Sequence, residues 1–244
     1  VEAGGIKKAV VVGGGFIGLE IAENLNAMGV RCNVLDMAPH VLPGFDREIQ
    51  EYVENHLADM GINTMTGTRF EGVLGDGRVE KVQTGKRALK ADAVVLSIGI
   101  RANTAFLADT GIEMAPNRTI LVDDHMRTND PDIYAVGDCA MVKNRITGKD
   151  AWSPMGSTAN IAGRVAAENI AGGDAVYSGA MGTAVCHLPE LNVGKTGLSE
   201  AQAKEAGYDA VSVLTVVDDK AHYMPGAGNF IIKLVADRAS RRIL

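Results

Sequence analysis

Residues 9–36 read AVVVGGGFIGLEIAENLNAMGVRCNVLD. The short apolar run Ala9–Val12 predicts a buried parallel strand. Three glycines follow, Gly13, Gly15 and Gly18, at G-x-G-x-x-G spacing. Ile17, Ile21, Leu25 and Met28 then recur at helical period, predicting one apolar helix face that ends at Gly29. A second apolar run, Val30–Leu35, closes in Asp36. Strand, turn, helix and strand in this order, finished by an acid, predict one half of an open α/β sheet that binds a mononucleotide unit.

Each residue type answers a physical need. Gly13 permits the tight turn, Gly15 lets backbone amides approach a pyrophosphate, and Gly18 lets helix and strand pack closely. The free amides and dipole of the helix start then supply an anion site. Asp36 stands about twenty residues beyond the last glycine, where a carboxylate accepts the ribose hydroxyls of NAD. Glycine-rich turns also serve as plain strand-to-helix links; here the flanking elements and the acid select dinucleotide binding. Asp36 repels the 2′-phosphate of NADPH, and Met37-Ala38 offer no arginine to receive it. NADH is therefore favoured, unless an arginine arrives from another loop.

A chain of 244 residues, 46% hydrophobic and 22% charged, has enough apolar material for one large domain or two or three small ones. With a net charge of −6 and no basic cluster interleaved with aromatics, nucleic acid is not an expected partner. No apolar run reaches the ~18 residues of a membrane span, and no signal-peptide pattern is present. Cys32, Cys139 and Cys186 are far apart without a C-x-x-C, which argues against a disulfide framework and a zinc site. The histidines are scattered too, and the adjacent Cys186 and His187 would point to opposite faces of a strand. No metal site is expected, and a reducing cytoplasmic setting is. The start at Val1 without methionine and a return strand cut at Leu244 lead to the expectation of a fragment of a longer protein.

Beyond Asp36 the pattern predicts a helix capped by Asp46 with Ile49, Val53, Leu57 and Met60 on its apolar face, then a strand over Ile62–Thr66. Period-two strands follow near 69–74 and 78–84 around the tight turn Asp76-Gly77, with a third over 88–98 leading to Gly99. A second unit is expected to hold a helix at Asn103–Asp109 and strands at Thr119–Val122 and Ile133–Val136, the latter followed by Gly137-Asp138. It ends with a helix over 155–171, closed by Gly172-Gly173. After Tyr177 the pattern reads as a separate α+β unit: strands 182–187 and 191–196, a helix 199–206, then strands 210–217 and 229–236.

VVVGGGFIGLE, LSIGIRANT and DIYAVGDCA, in that order and at these separations, resemble the pyridine nucleotide–disulfide oxidoreductases, which are dimeric FAD-containing flavoproteins with two Rossmann-like domains. KAHYMPGAGNFIIKL is similar to the coenzyme A-disulfide reductase and NADH oxidase/peroxidase branch. The resemblance implies an α/β chain with a linker at 1–5 and an NAD(P)H-binding Rossmann-like domain with a β-meander at 6–101. The second half of a Rossmann-like FAD domain at 102–175 and a truncated α+β dimerisation domain at 176–244 would follow. It also implies that Gly13, Gly15, Phe16, Ile17 and Gly18 form the NADH turn, Asp36 the ribose acid, and Phe45 and Gly99 the flanks of the nicotinamide nucleotide. Phe16 matches an aromatic gate that covers the flavin until nicotinamide displaces it; the alternative is a ring that merely staples its helix to a neighbour. Glu20 matches a glutamate near the nicotinamide, against a plain solvated helix acid. Gly137 and Asp138 match the hold on the flavin ribityl chain, against an N-cap or Asx-turn acid. Gly156, Ser157 and Thr158 match the helix start that faces the flavin and stabilises its charge on reduction. Tyr223 matches an aromatic reaching the partner subunit's active site, with an inert interface tyrosine as the alternative.

The family's first FAD motif and early redox cysteine have no counterpart in this sequence, so weak or no FAD binding by the chain alone, and no activity alone, are expected. The implied reaction passes hydride from nicotinamide to flavin, then electrons to a disulfide such as coenzyme A disulfide. The alternatives are an NADH oxidase or peroxidase acting on oxygen species, a ferredoxin-reductase-like flavoprotein, and a non-catalytic nucleotide-binding module. A homodimer is the implied full-length assembly.

Overall fold

The computed structural model describes residues 5–244, so the expected linker at 1–5 lies, Gly5 apart, outside the described residues. The first unit runs β1 (Lys8–Val12), α1 (Phe16–Ala27), β2 (Arg31–Leu35), α2 (Arg47–Asp59) and β3 (Asn63–Met65). It continues with β4 (Phe70–Leu74), β5 (Lys81–Thr84), β6 (Ala88–Lys90) and β7 (Ala93–Leu96). β3, β2, β1 and β7 form a parallel sheet in that order, while β4, β5 and β6 form an antiparallel meander. The alternation of β1 explains the two layers. Ala9 and Val11 face α1 and α2, packing with Leu19, Val53 and Leu57. Val10 and Val12 face the meander, packing with Val82 and Leu89. Both faces of the sheet are covered, which is why β1 reads as a continuous apolar run.

Three details differ from the sequence expectation. The buried side of α1 is Gly18, Leu19 and Ala22, whereas Ile17 and Met28 are 60% and 53% exposed. Gly18 packs on the glycine turn with Leu19 and Ala22 beside it, so the close-packed side rotates toward Gly18 and leaves Ile21 and Leu25 half-buried at the edge of the core. Asp46 stands at the N-cap of α2 but makes no capping bond; its Oδ1 accepts from Glu200 N at 3.0 Å instead. The expected strand 88–98 is two strands in two sheets. Asp92 sits at the break, where its Oδ2 accepts from Lys7 N and Lys8 N, each at 2.9 Å.

In the second unit the expected helix Asn103–Asp109 shrinks to a 3-10 turn at Ala105–Leu107. β8 (Ile120–Leu121) pairs in parallel with β9 (Ala140–Lys143), which pairs antiparallel with β10 (Asp150–Ala151). Ile133–Val136 is not a strand; it makes one isolated bridge, Arg127 with Tyr134. The strand lies later because Ala140, Met141 and Val142 are buried together, whereas in 133–136 only Ala135 is buried and Ile133 is 42% exposed. Gly137 and Asp138 therefore precede a strand rather than follow one. α3 (Gly156–Ile170) matches expectation within a residue at each end.

The last unit is β11 (Ala184–Leu188), β12 (Leu191–Lys195), α4 (Glu200–Glu205), β13 (Ala210–Asp218) and β14 (Asn229–Asp237). Ser199 and Gln202 close α4 with a reciprocal capping box. Cys186, Leu188 and Val193 join the same core as Leu19, Val53 and Leu57, so the β11–β12 hairpin is bolted onto the first unit. Among the described residues no helix is long and apolar enough to cross a membrane.

Candidate functional site

The turn after β1 is built by contacts only glycine allows. Gly13 has φ +112°, and a Cβ there would stand 2.0 Å from Ser97 O. A Cβ on Gly18 would stand 1.9 Å from Gly13 O. Gly13 N donates to Leu35 O at 2.7 Å, tying the turn to the end of β2. Gly15 takes the N-cap position of α1 in extended conformation without a side-chain cap, so no side chain claims the first-turn amides there. At the end of β2, Asp36 Oδ2 accepts from Gly14 N at 2.6 Å and Oδ1 from Ala38 N at 2.7 Å. Each oxygen keeps acceptor capacity for a hydroxyl. Gly13, Gly15, Asp36 and Gly99 line one cleft of about 620 Å³ at the carboxyl edge of the sheet. Free amides at one end and an anchored carboxylate at the other can hold a diphosphate and a diol together.

Sequence reasoning missed part of this wall: Thr68, Arg69, Phe70, Pro43 and Ser97. The residues after β3 arrive because Thr68 N donates to Asp36 O and Gly67 N to Ala38 O, at 2.9 and 2.8 Å. That pairing is a property of the sheet edge and leaves no local sequence signal.

Beside the cleft, Phe16 opens α1 half-buried, its ring edge-on to Phe45 at 5.8 Å between centroids and 61° between planes. Phe45 is 7% exposed and backs Phe16 without lining the cleft. Lys195 Nζ lies 5.8 Å over the Phe45 ring and donates to Gly44 O at 2.7 Å. Burial pulls the Lys195 ammonium pKa down, against the opposing charge of Asp46. Glu20 is half-buried, its Oε1 accepting from His187 N at 3.1 Å across the junction with β11. Ile17 lines a separate shallow groove with Ile21, Leu25 and Met28.

A second surface gathers Gly137, Asp138 and the start of α3. Gly137 has φ +81°, and α3 packs against the turn it opens. The Asp138 carboxylate is exposed and makes no hydrogen bond or ion pair among the described residues, so it serves neither as N-cap nor as Asx-turn acid. Its carbonyl accepts from Trp152 Nε1 at 2.8 Å, which fixes the turn. Met155 at the N-cap of α3 provides no side-chain cap; Gly156 and Ser157 are exposed, and Thr158 is buried with its hydroxyl 2.8 Å from Ser153 Oγ. The uncapped helix start and the unpartnered acid offer donors and an acceptor to a large polar ligand. Neither Asp138 nor the α3 start lines the Gly13 cleft. Tyr223 is 81% exposed at the tip of the β13–β14 hairpin, edge-on to His222.

The cysteines are free. Burial pushes the Cys32 and Cys186 thiols up to about 11, which makes them poor nucleophiles near neutral pH.

Comparison with known proteins places a family model described as pyridine nucleotide-disulphide oxidoreductase on residues 2–166 and that family's dimerisation domain on residues 183–244. The NAD(P)H sulfur oxidoreductase (CoA-dependent) of Pyrococcus abyssi is 34% identical over all of the chain, which spans 54% of that protein. The NAD-dependent persulfide reductase from A. fulgidus superposes with a TM-score of 0.95 at 39% identity, covering 100% of this chain and 45% of that one. The water-forming NADH oxidase from Lactobacillus brevis, solved with NADH bound, gives a TM-score of 0.93 at 30% identity over 100% of this chain and 54% of that one. The chain thus spans about half the length of the relatives it matches.

Proposed function

The chain belongs to the pyridine nucleotide-disulphide oxidoreductase family, and from that premise we propose that it carries the nicotinamide-nucleotide site and part of the flavin site of an NAD(P)H-dependent FAD oxidoreductase. The observation that carries this reading is the single cleft joining the Gly13 turn, Asp36 and Gly99. The first-turn amides of α1 hold the pyrophosphate, Asp36 takes the ribose hydroxyls, and NADH is the favoured donor. Gly99 and the loop from Ser97 leave room for the nicotinamide end.

The second surface fits a flavin. Asp138 is an unpartnered carboxylate suited to ribityl hydroxyls, and Gly137 allows close backbone approach. The uncapped start of α3 at Gly156, Ser157 and Thr158 places positive dipole where negative charge develops. When bound, FAD supplies hydride acceptance from nicotinamide and onward electron transfer to a disulfide or an oxygen species. Phe16 is the residue on this chain that shields that junction from water. Its edge contact with Phe45 gives it a defined resting position; the same contact also suits the plain packing alternative. Glu20 holds β11 against α1 beside the nicotinamide site. The β13–β14 hairpin, with Val213 and Phe230 on one side of the ribbon and both exposed by more than half, is the face by which two copies pair, and it carries Tyr223 toward the partner. Free cysteines fit a reducing compartment such as the cytoplasm.

A coenzyme A disulfide or a related persulfide is the proposed acceptor class, from the likeness to the sulfur and persulfide reductases. An NADH oxidase is the second reading, favoured by the equally extensive overlay on the Lactobacillus brevis enzyme. Calorimetric titration with NADH tests the premise of both. Binding that weakens at least about tenfold in Asp36→Ala is expected, since two ribose hydrogen bonds to a charged group are lost. Absence of NADH binding, or an indifferent variant, overturns the reading.

A further inference from the structure

The cleft wall that sequence reasoning missed contains one guanidinium. Thr68 N donates to Asp36 O, so Arg69 emerges beside the end of β2 and lines the same cleft as Asp36 and Met37. Among the residues lining that cleft, Asp36 is the only acid and Arg69 the only base. The two do not pair: no salt bridge or side-chain hydrogen bond is made by Arg69 among the described residues, and the residue is exposed where it lines the cleft. Other arginines of the fold do find partners, as Arg47 does with Glu51 and Arg127 with Tyr134. Asp36, meanwhile, is held by Gly14 N and Ala38 N on its two oxygens. Those dipoles blunt its repulsion of a second anion nearby.

We propose that Arg69 is a 2′-phosphate subsite, so that the nucleotide cleft accepts NADPH as a second donor despite Asp36. This rests on the reading of the cleft as a dinucleotide site and deepens it. A 2′-phosphate is carried on the very ribose that Asp36 addresses. A planar fork of donors from the adjacent loop meets such a phosphate with two parallel hydrogen bonds. The position following Asp36, where a phosphate-binding arginine is ordinarily sought, is Met37 here; the sheet edge brings the charge from further along the chain instead. NADH keeps its advantage through Asp36, and Arg69 narrows the gap.

The test is calorimetric titration of the protein with NADH and with NADPH, for wild type, Arg69→Ala and Arg69→Lys, at low and high salt. Wild type binds NADPH within about tenfold of NADH. Arg69→Ala weakens NADPH by about a further tenfold, one good charge-assisted contact, while NADH moves less than about twofold. Arg69→Lys recovers part of the NADPH loss, and the loss in Arg69→Ala shrinks at high salt because the contact is solvent-accessible. An alanine variant that weakens both nucleotides equally overturns the subsite, since Arg69 then serves a part common to both, such as the adenine face. Unchanged affinities, or NADH binding by wild type with none detectable for NADPH, overturn it too. If wild type binds neither, the dinucleotide reading itself falls and takes the subsite with it.

Discussion

Gly18 shows how tightly one atom can be policed. A methyl there would stand 1.9 Å from Gly13 O, and neither backbone can retreat because Gly13 N is already bonded to Leu35 O. Gly18→Ala is expected to cost about 2–3 kcal/mol in denaturant unfolding, the range of a forced overpacking, and to weaken NADH binding at least tenfold by displacing the start of α1. An alanine variant with wild-type midpoint and wild-type affinity would show that the turn has slack. The thiols make a contrasting case. Cys32 and Cys186 are 2% and 0% exposed and are held neutral by burial, with Glu20's charge adding to the effect at Cys186. Folded protein at pH 8 should therefore react with a thiol reagent at half-buried Cys139 first, with Cys32 and Cys186 following only on unfolding. Because their folded pKa values, about 11, lie above the usual 9.0, these two contribute stability below pH 9 that is lost as pH rises toward 11.

At the scale of elements, one lysine ties three segments together. Lys233 on β14 is 6% exposed in its side chain and lies 3.3 Å from Asp46, 2.9 Å from Glu48 and 3.0 Å from Glu200. Burial lowers its ammonium pKa, but hydrogen bonds to Glu48 and Glu200 and the charge of Asp46 reverse this and leave it raised. Hydrogen bonds from Lys204, then Ser212 and Lys233, hold the Glu200 carboxyl down at about 2. The start of α2, α4 and the hairpin are thereby locked to one another. This also explains why Asp46 does not cap its own helix: its oxygen is committed to Glu200 N and Lys233. Lys233→Met leaves three carboxylates facing one another and is expected to cost roughly 2–3 kcal/mol at pH 7, moderated by the partial solvation of Glu48 and Glu200. The pH dependence separates this from a simple packing loss. Wild type loses the Glu200 contribution as pH falls below the usual 4.5 toward 2. The variant instead narrows its deficit between pH 7 and 4.5, as its crowded acids take up protons. Thermal melts across that range measure the difference; a constant deficit would argue against the clamp.

Taken whole, the molecule leaves apolar side chains open on the β13–β14 hairpin, where Val213, Val217 and Phe230 on one side of the ribbon are 57%, 44% and 53% exposed. Two long antiparallel strands carrying such residues on open faces invite a partner. The protein is expected to run as a dimer in light scattering at micromolar concentration, and Val213→Asp with Phe230→Asp to shift it to monomer without lowering NADH affinity, since the cleft lies elsewhere. A double variant that stays dimeric would move the interface to another face. The hairpin is also joined through Lys233 to α2, and β12 through Lys195 to Phe45 and hence Phe16. Hairpin and cleft therefore share one continuous framework.

Much was legible in the linear order of residues. Apolar runs, helical period, and glycines before helix starts located β1, α1, β2, α2, α3 and the whole β11–β14 segment, because each is specified by its own local pattern. The glycine turn and Asp36 were legible for the same reason: their spacing is the geometry. What failed were decisions made between elements. Ile133–Val136 had the composition of a strand but Ala140–Lys143 had the burial, and only packing against α3 and β8 could choose. The single apolar stretch at 88–98 had to divide because its two ends serve sheets on opposite sides of a turn. The sequence determined the glycine turn and the acid that close the two ends of the cleft. Tertiary structure alone decided which others stand beside them, placing Arg69 next to Asp36 and Lys195 over Phe45, because long-range sheet pairing and shared cores join residues whose separation along the chain carries no signal.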